Sequence, residues 1–532
     1  MKQSENTRRL ALGKAEYTKL LLALVFVSMV FLPLIRMFSN MSLDSVRRVV
    51  NSPVFGDAVA HSIISAVLGT VITVMVAAVL ALCIERTNIR LKGLFRIIFV
   101  LPMLLPSISH GMGLVILLGN NGILTKLFQL NGNIYGLSGI IVGSVLYAFP
   151  VAYLMIEDVL RYEDGSAYEA AQVLGIPKFR QFTAIMLPFL RKPLISIIFS
   201  IFTLIITDYG VPLMVGGKYT TIATVMYQEV IGQLDFGKGA VYGTILLVPA
   251  VIAFLLDLTN KDRGNSSYVT KPCEKSDRKG VKGAAYFYCG LVCVFTLLPL
   301  VSFVLLAFTA DYPKDLSFTL SNLLHSFKLR AGEYYLNSVL IALLTALFGV
   351  AVSFMTAYLS ARMKSKMSRF LHLSSMTSAA IPGIVLGLSY VLAFNKTPIY
   401  GTIIILVLVN VVHFIASPYL MIYNSMSKIN ENLEDVAHTM GITRALLIRD
   451  VLIPQCKDTL LEMFSYFFVN CMMTISAVSF LANTSNKPVA LMINQFEAQM
   501  QLECAAVVSL MILLTNLAVK GLSHALRCAH HR

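Results

Sequence analysis

Apolar runs of about twenty residues, each long enough to cross a bilayer as a helix, alternate along this chain with short polar segments rich in lysine and arginine. About twelve such runs can be drawn, at 20–36, 62–83, 95–118, 138–159, 194–216, 239–257, 284–308, 336–360, 370–394, 401–424, 458–482 and 503–522. The pattern predicts an all-α, polytopic membrane protein of about twelve transmembrane helices. The first run lacks a small-residue cleavage site and reads as a retained span.

The pattern is written twice. YEAAQVLGIPKFRQFTAIMLP (168–188) has a second version in EDVAHTMGITRALLIRDVLIP (434–454). Gly175 and Gly441 are 266 residues apart, as are Pro188 and Pro454. Earlier in each half, Ser62 and Ser338, Pro106 and Pro382, and Gly111 and Gly387 are 276 apart. Six runs per half, an even number, give the two halves the same orientation, so they are parallel six-helix repeats. The predicted division is a first transmembrane domain over 1–257, a polar, flexible linker over 258–283 and a second transmembrane domain over 284–532.

Composition supports a membrane setting: 57% of residues are hydrophobic and 13% charged, against roughly 25% charged in soluble domains. The net charge of +15 raises nucleic acid as a partner. Its distribution argues against that. With the N-terminus in the cytoplasm, 30 of the 43 Lys and Arg fall on cytoplasmic segments, which is the positive-inside bias. Both termini, the linker and both repeated polar segments are then expected inside.

The repeated segment has local chemistry that predicts an elbow of two short helices. Ser166 and Glu169 hold the offsets of a capping box, and Asn432 and Asp435 a weaker one. Gly175 sits where a helix end calls for a left-handed residue. Pro177 suits the next first turn, and Thr443 can cap the corresponding helix. Phe182, Ile185 and Leu187 anchor it at the membrane. Two elbows on one side read as a docking device for a partner with two matching grooves.

Glu169, Ala170, Ala171, Gly175, Ile185, Leu187 and Pro188 resemble the EAA motif of ABC importer permeases position by position. In the second copy Asp435, Ala437, Gly441, Val451, Ile453 and Pro454 hold the motif, with Asp for Glu and Val436 for the first Ala. The two elbows are therefore expected to differ in grip. The chain is similar to the fused permeases of ferric-iron, thiamine and phosphonate importers, with polyamine permeases more distant. The resemblance implies an inner-membrane subunit without cofactor and a pore for a solute brought by an extracytoplasmic solute-binding protein. It also implies two ATP-binding subunits on the elbows. Ferric iron is the first expectation for the solute, with aminoethylphosphonate, thiamine and polyamines next. The rival reading is an ion-coupled secondary transporter of twelve spans, which calls for coupling carboxylates within the membrane and has no use for elbows.

Other candidates change little. Gly232–Gly239 approaches a phosphate-binding loop, but Gly239 stands where Ser or Thr must hold magnesium. ATP hydrolysis is therefore expected on a separate chain. Asp208 is a rare acid inside an apolar run and, with Tyr209 and His110, is a candidate for the translocation path. Cys289 and Cys293 share a helix face without His or carboxylate and read as packing residues. No catalytic constellation and no metal-binding cluster is present in the sequence.

Overall fold

The computed structural model describes residues 16–129, 134–260, 271–311 and 315–530. Among these, eight helices are long and apolar enough to cross a membrane, from Glu16–Ser39 to Leu502–Ala529. Three further helix pairs bend by 102°, 111° and 56°, and counting each pair as one span gives up to 11 candidates by length and composition. The count departs from the expected twelve for a visible reason. Pro106 and Pro382 adopt extended backbone and stop helices that the apolar runs 95–118 and 370–394 would otherwise continue. The last-but-one run yields only Lys457–Met473 before the chain turns. A short hairpin, Thr309–Asp311 with Asp315–Phe318, is the one sheet among the described residues.

The repeat is visible at the level of single hydrogen bonds. Helices Ser107–Leu118 and Gly383–Phe394 begin and end at positions 276 apart. The Ser62 hydroxyl accepts from Ile222 N–H at 2.8 Å, and the Ser338 hydroxyl accepts from Val489 N–H at 2.7 Å. A Cβ on Gly111 would lie 3.3 Å from the Val211 carbonyl oxygen, and one on Gly387 would lie 2.7 Å from that of Ala477, 266 residues on. Small residues let these helices touch backbone to backbone, the usual way to gain packing where no hydrophobic effect drives helices together. Outward faces are apolar instead, with Phe287, Val294 and Phe348 more than half exposed, as lipid contact requires.

Within each half, one long helix is the spine. Pro53–Arg86 packs on Leu137–Arg161 and Leu187–Ile206, and Ala331–Ala361 packs on Ala416–Ser427 and Lys457–Met473. The leading helices cross over. Glu16–Ser39 lies against Gly383–Phe394 of the second half, where the Tyr390 hydroxyl donates to Met29 O at 2.8 Å. The Lys19 ammonium reaches Met363 O and the Ser365 hydroxyl, each at 3.0 Å. Lys279–Ala307 in turn lies against Ser107–Leu118 of the first half. Of the expected flexible linker, 261–270 lies outside the described residues. The remainder is held: Ser276 exchanges backbone hydrogen bonds with Arg86 and Asn88 at 2.9 and 3.1 Å.

Candidate functional site

The two elbows close in the same way. In the first, Ser166–Val173 ends at Gly175, with φ +66°. Gly175 N–H donates to Gln172 O at 3.0 Å and Ile176 N–H to Ala171 O at 2.9 Å. In the second, Leu433–Thr439 ends at Gly441, with φ +71°. Gly441 N–H donates to His438 O at 3.1 Å and Ile442 N–H to Ala437 O at 2.8 Å. This paired arrangement is the Schellman motif, which satisfies carbonyls that a helix end would leave bare. Beyond it, Lys178–Gln181 and Arg444–Leu447 each continue into one wide turn, Phe182–Met186 and Ile448–Leu452, again 266 apart. Pro188 and Pro454 follow, and since a proline offers no N–H to the carbonyl four residues back, the turn before each one widens.

The start of each elbow differs from the expected capping box. The Ser166 side chain does not cap, and the helix begins after Gly165. Instead the Asp164 carboxylate accepts from Ser166 N–H at 3.0 Å, and the Asn430 side chain accepts from Asn432 N–H at 2.9 Å. The turn-forming residue lies two positions upstream and is itself repeated at 266. Thr443 does cap, accepting from Leu446 N–H at 3.5 Å.

Glu169 is thereby free for another role, and it pairs with Lys271 of the linker. The contact raises the pKa of the Lys271 ammonium. Gly165 N–H also donates to Lys271 O at 2.8 Å, so the linker lies along the first elbow. Asp435, the matching acid, has no ion pair among the described residues. Burial pushes the neighbouring Cys273 thiol up in pKa, and its sulfur sits 3.5 Å from Glu163 O. A polar cavity of about 490 Å³ lies here, lined by Arg86, Arg96, Arg161, Glu163 and Lys275 among others.

Of the motif residues, Ala171 and Ala437 are buried. Ala170, Gly175, Leu187 and Pro188, and likewise Asp435, Gly441, Ile453 and Pro454, face outward, while Ile185 and Val451 are half-buried. Each elbow presents an apolar tip: Val173, Leu174 and Phe179 are 88%, 75% and 77% exposed, and Val436 and Met440 are 51% and 69% exposed. Such clustered exposed apolar side chains mark an interaction surface.

Two arginines behind the elbows are site residues that the sequence reading does not single out. Arg86 ends the first spine helix, pairs with Glu163 and lies 5.1 Å from the centre of the Tyr168 ring. Arg362 follows the second spine helix and grips Glu434 with Nε at 2.7 Å and Nη2 at 2.5 Å. It also donates to Ile429 O at 2.7 Å and Asn430 O at 2.6 Å. Arg86 and Arg362 are 276 apart, so the repeat spacing is the signal that could find them. Each ties an elbow to the spine of its own half.

A second feature lies between the halves. A cavity of about 310 Å³ is lined by Tyr147, Thr203, Thr207 and Asp208 from one half and by Pro382, Gly383, His413 and Ser476 from the other, among others. Asp208 thus lies where a path would run. Its carboxylate accepts from Gly210 N–H at 3.3 Å and Val211 N–H at 3.0 Å. Tyr209 lies outside this lining, buried and stacked on Tyr227 with ring centres 4.7 Å apart. His110 is also buried and outside the lining, its ring 5.9 Å from that of Tyr147.

Residues 69–259 and 349–527 match the family described as binding-protein-dependent transport system inner membrane component. The chain belongs to that family. It is the permease of an ABC importer, a multi-pass transport component of the plasma membrane and not an enzyme. This permease is 27% identical over 499 residues to the ferric transport system permease protein FbpB of Actinobacillus pleuropneumoniae, covering 88% of this chain and 71% of the relative. It is 27% identical over 343 residues to the thiamine transport system permease protein ThiP of Haemophilus influenzae, covering 61% of each. The corresponding ThiP of Salmonella typhimurium is 24% identical over 352 residues, 64% of each. Membership in this family sets aside the ion-coupled secondary transporter. The two matched segments leave out the leading helix of each half, and both of those helices pack on the opposite half.

Proposed function

We propose that each elbow of this permease docks one ATP-binding subunit, and that the two subunits drive opening and closing of the path between the halves. The observation that carries this reading is the matched pair of Schellman-closed elbows with exposed apolar tips. ATP hydrolysis resides on those separate subunits, and an extracytoplasmic binding protein delivers the solute. The elbows, the linker and both termini face the cytoplasm, in keeping with the placement of 30 of 43 Lys and Arg. Domains over 1–257 and 284–532, joined by 258–283, then form the whole pore in one chain. The cargo is ferric iron, by similarity to the FbpB relative, with thiamine, aminoethylphosphonate and polyamines following.

In mechanical terms, a push on an elbow reaches the membrane by two routes. One is the wide turn into Leu187–Ile206 or, in the second half, into Lys457–Met473. The other is the arginine tie to the spine helix. The first route ends at the inter-half cavity, which Ser200 and Thr203 of Leu187–Ile206 and Ser476, just past Lys457–Met473, help to line, and the spine helices pack against those same two helices. Leu174→Asp and Met440→Asp place a charge on each tip without touching the Schellman bonds. Each is expected to lower recovery of the ATP-binding subunit with the tagged permease, and the pair together to abolish it. Full recovery with both substitutions would remove the docking role.

A further inference from the structure

We propose that the cavity between the halves admits cationic cargo, with Asp208 as its attracting charge and Tyr147 and His413, in the same lining, as sources of oxygen and nitrogen lone pairs. The proposal rests on the importer reading above and names the charge class of what passes. Among the described residues, Asp208 is the only acid in the lining, and no lysine or arginine lines the cavity. Its carboxylate accepts from neutral donors, the N–H groups of Gly210 and Val211. These bonds orient the carboxylate and, being made by uncharged groups, bring no positive charge into the lining. A carboxylate in a narrow space with low-dielectric walls concentrates cations and excludes anions.

The rest of the lining agrees. Tyr147 and His413 are 266 apart, so the two halves present a phenol and an imidazole at equivalent positions. The His413 Nδ1 atom has no hydrogen-bond partner among the described residues. The position equivalent to Asp208 is Thr474, so the charge comes from the first half alone. Carboxylate oxygen and imidazole nitrogen are groups that iron accepts as ligands, and a carboxylate also suits an organic cation. A phosphonate would meet an unopposed like charge. The cavity thus retains ferric iron, thiamine and polyamines as cargo classes and disfavours aminoethylphosphonate.

The competing account is that Asp208 merely caps the Gly210–Val215 helix. Asn accepts the same N–H bonds and caps as well as Asp, so Asp208→Asn separates the two. The experiment measures uptake of radiolabelled ferric iron, thiamine and 2-aminoethylphosphonate by cells holding the complete importer, at matched amounts of permease in the membrane. Asp208→Asn is expected to lower uptake of the cationic cargo by about tenfold or more. Asp208→Glu is expected to retain it, and Asp208→Asn with His413→Asp to restore part of it by moving the charge to the other wall. Cation uptake by Asp208→Asn equal to the parent overturns the proposal, as does a parent that carries the phosphonate and neither cation. Co-purification of the ATP-binding subunit from the same membranes keeps the two readings apart. Its absence from the parent chain strikes the docking proposal, whereas unchanged uptake by Asp208→Asn with the subunit retained strikes only the cation site.

Discussion

Arg362→Ala is expected to be among the most damaging single substitutions in this permease. The guanidinium is 3% exposed and makes a two-pronged contact with Glu434, which is 21% exposed, while also satisfying two backbone carbonyls. Removing one partner of such a pair strands the other charge, at a cost of about 3–5 kcal/mol where burial is complete. Glu434 retains some water, so the lower end of that range applies. The loss is read as a lower thermal unfolding midpoint of the purified permease and as reduced retention of the ATP-binding subunit. Arg362→Lys recovers only part, because a lysine ammonium cannot make the fork. Arg362→Ala with Glu434→Ala should be less unstable than Arg362→Ala alone. Wild-type stability in Arg362→Ala would show that the tie is not structural.

Gly175→Val and Gly441→Val carry the second large effect. Both glycines have positive φ, +66° and +71°. Left-handed backbone costs an L-residue roughly 1–2 kcal/mol, and a β-branched side chain more. A Cβ at either glycine would meet nothing within 4 Å, so the penalty is conformational and not a clash. Asn tolerates this region, and Gly175→Asn and Gly441→Asn are expected to keep the elbow. The measurement is retention of the ATP-binding subunit together with solute uptake at matched expression. Valine should lose both and asparagine neither; identical behaviour of the two substitutions would mean that backbone geometry is not what matters. Because Glu169 pairs with the linker and Asp435 does not, the losses at the two elbows are expected to be unequal.

The elbows are legible in the sequence because glycine and proline carry backbone meaning in themselves. A glycine 266 residues from another, each followed 13 residues later by proline, is enough to specify two matching turns. The way each elbow opens is not legible in the same manner. Ser166 and Glu169 have capping-box spacing, yet Asp164 two residues upstream of Ser166 holds the Ser166 N–H. Short polar side chains offer several local hydrogen-bonding geometries of similar energy, and spacing alone does not choose among them. Arg86 and Arg362 look like ordinary loop charges in the sequence because their acidic partners lie 77 and 72 residues away. The span count departs from twelve where Pro106 and Pro382 bend the chain inside apolar runs, since hydropathy sums are blind to direction. Asp208 stands out as an acid among apolar residues. His413 lines the same cavity from the other half, and its nearness to Asp208 is not legible because 205 residues separate the two in sequence.

The central claim is that one chain offers two docking elbows and engages two ATP-binding subunits. Native mass spectrometry of the purified complex measures this directly, using the parent chain, Leu174→Asp, Met440→Asp and the double variant. The account predicts two subunits per permease for the parent, fewer for each single variant and none for the double. A parent complex with a single subunit, or a double variant that still holds two, would contradict it.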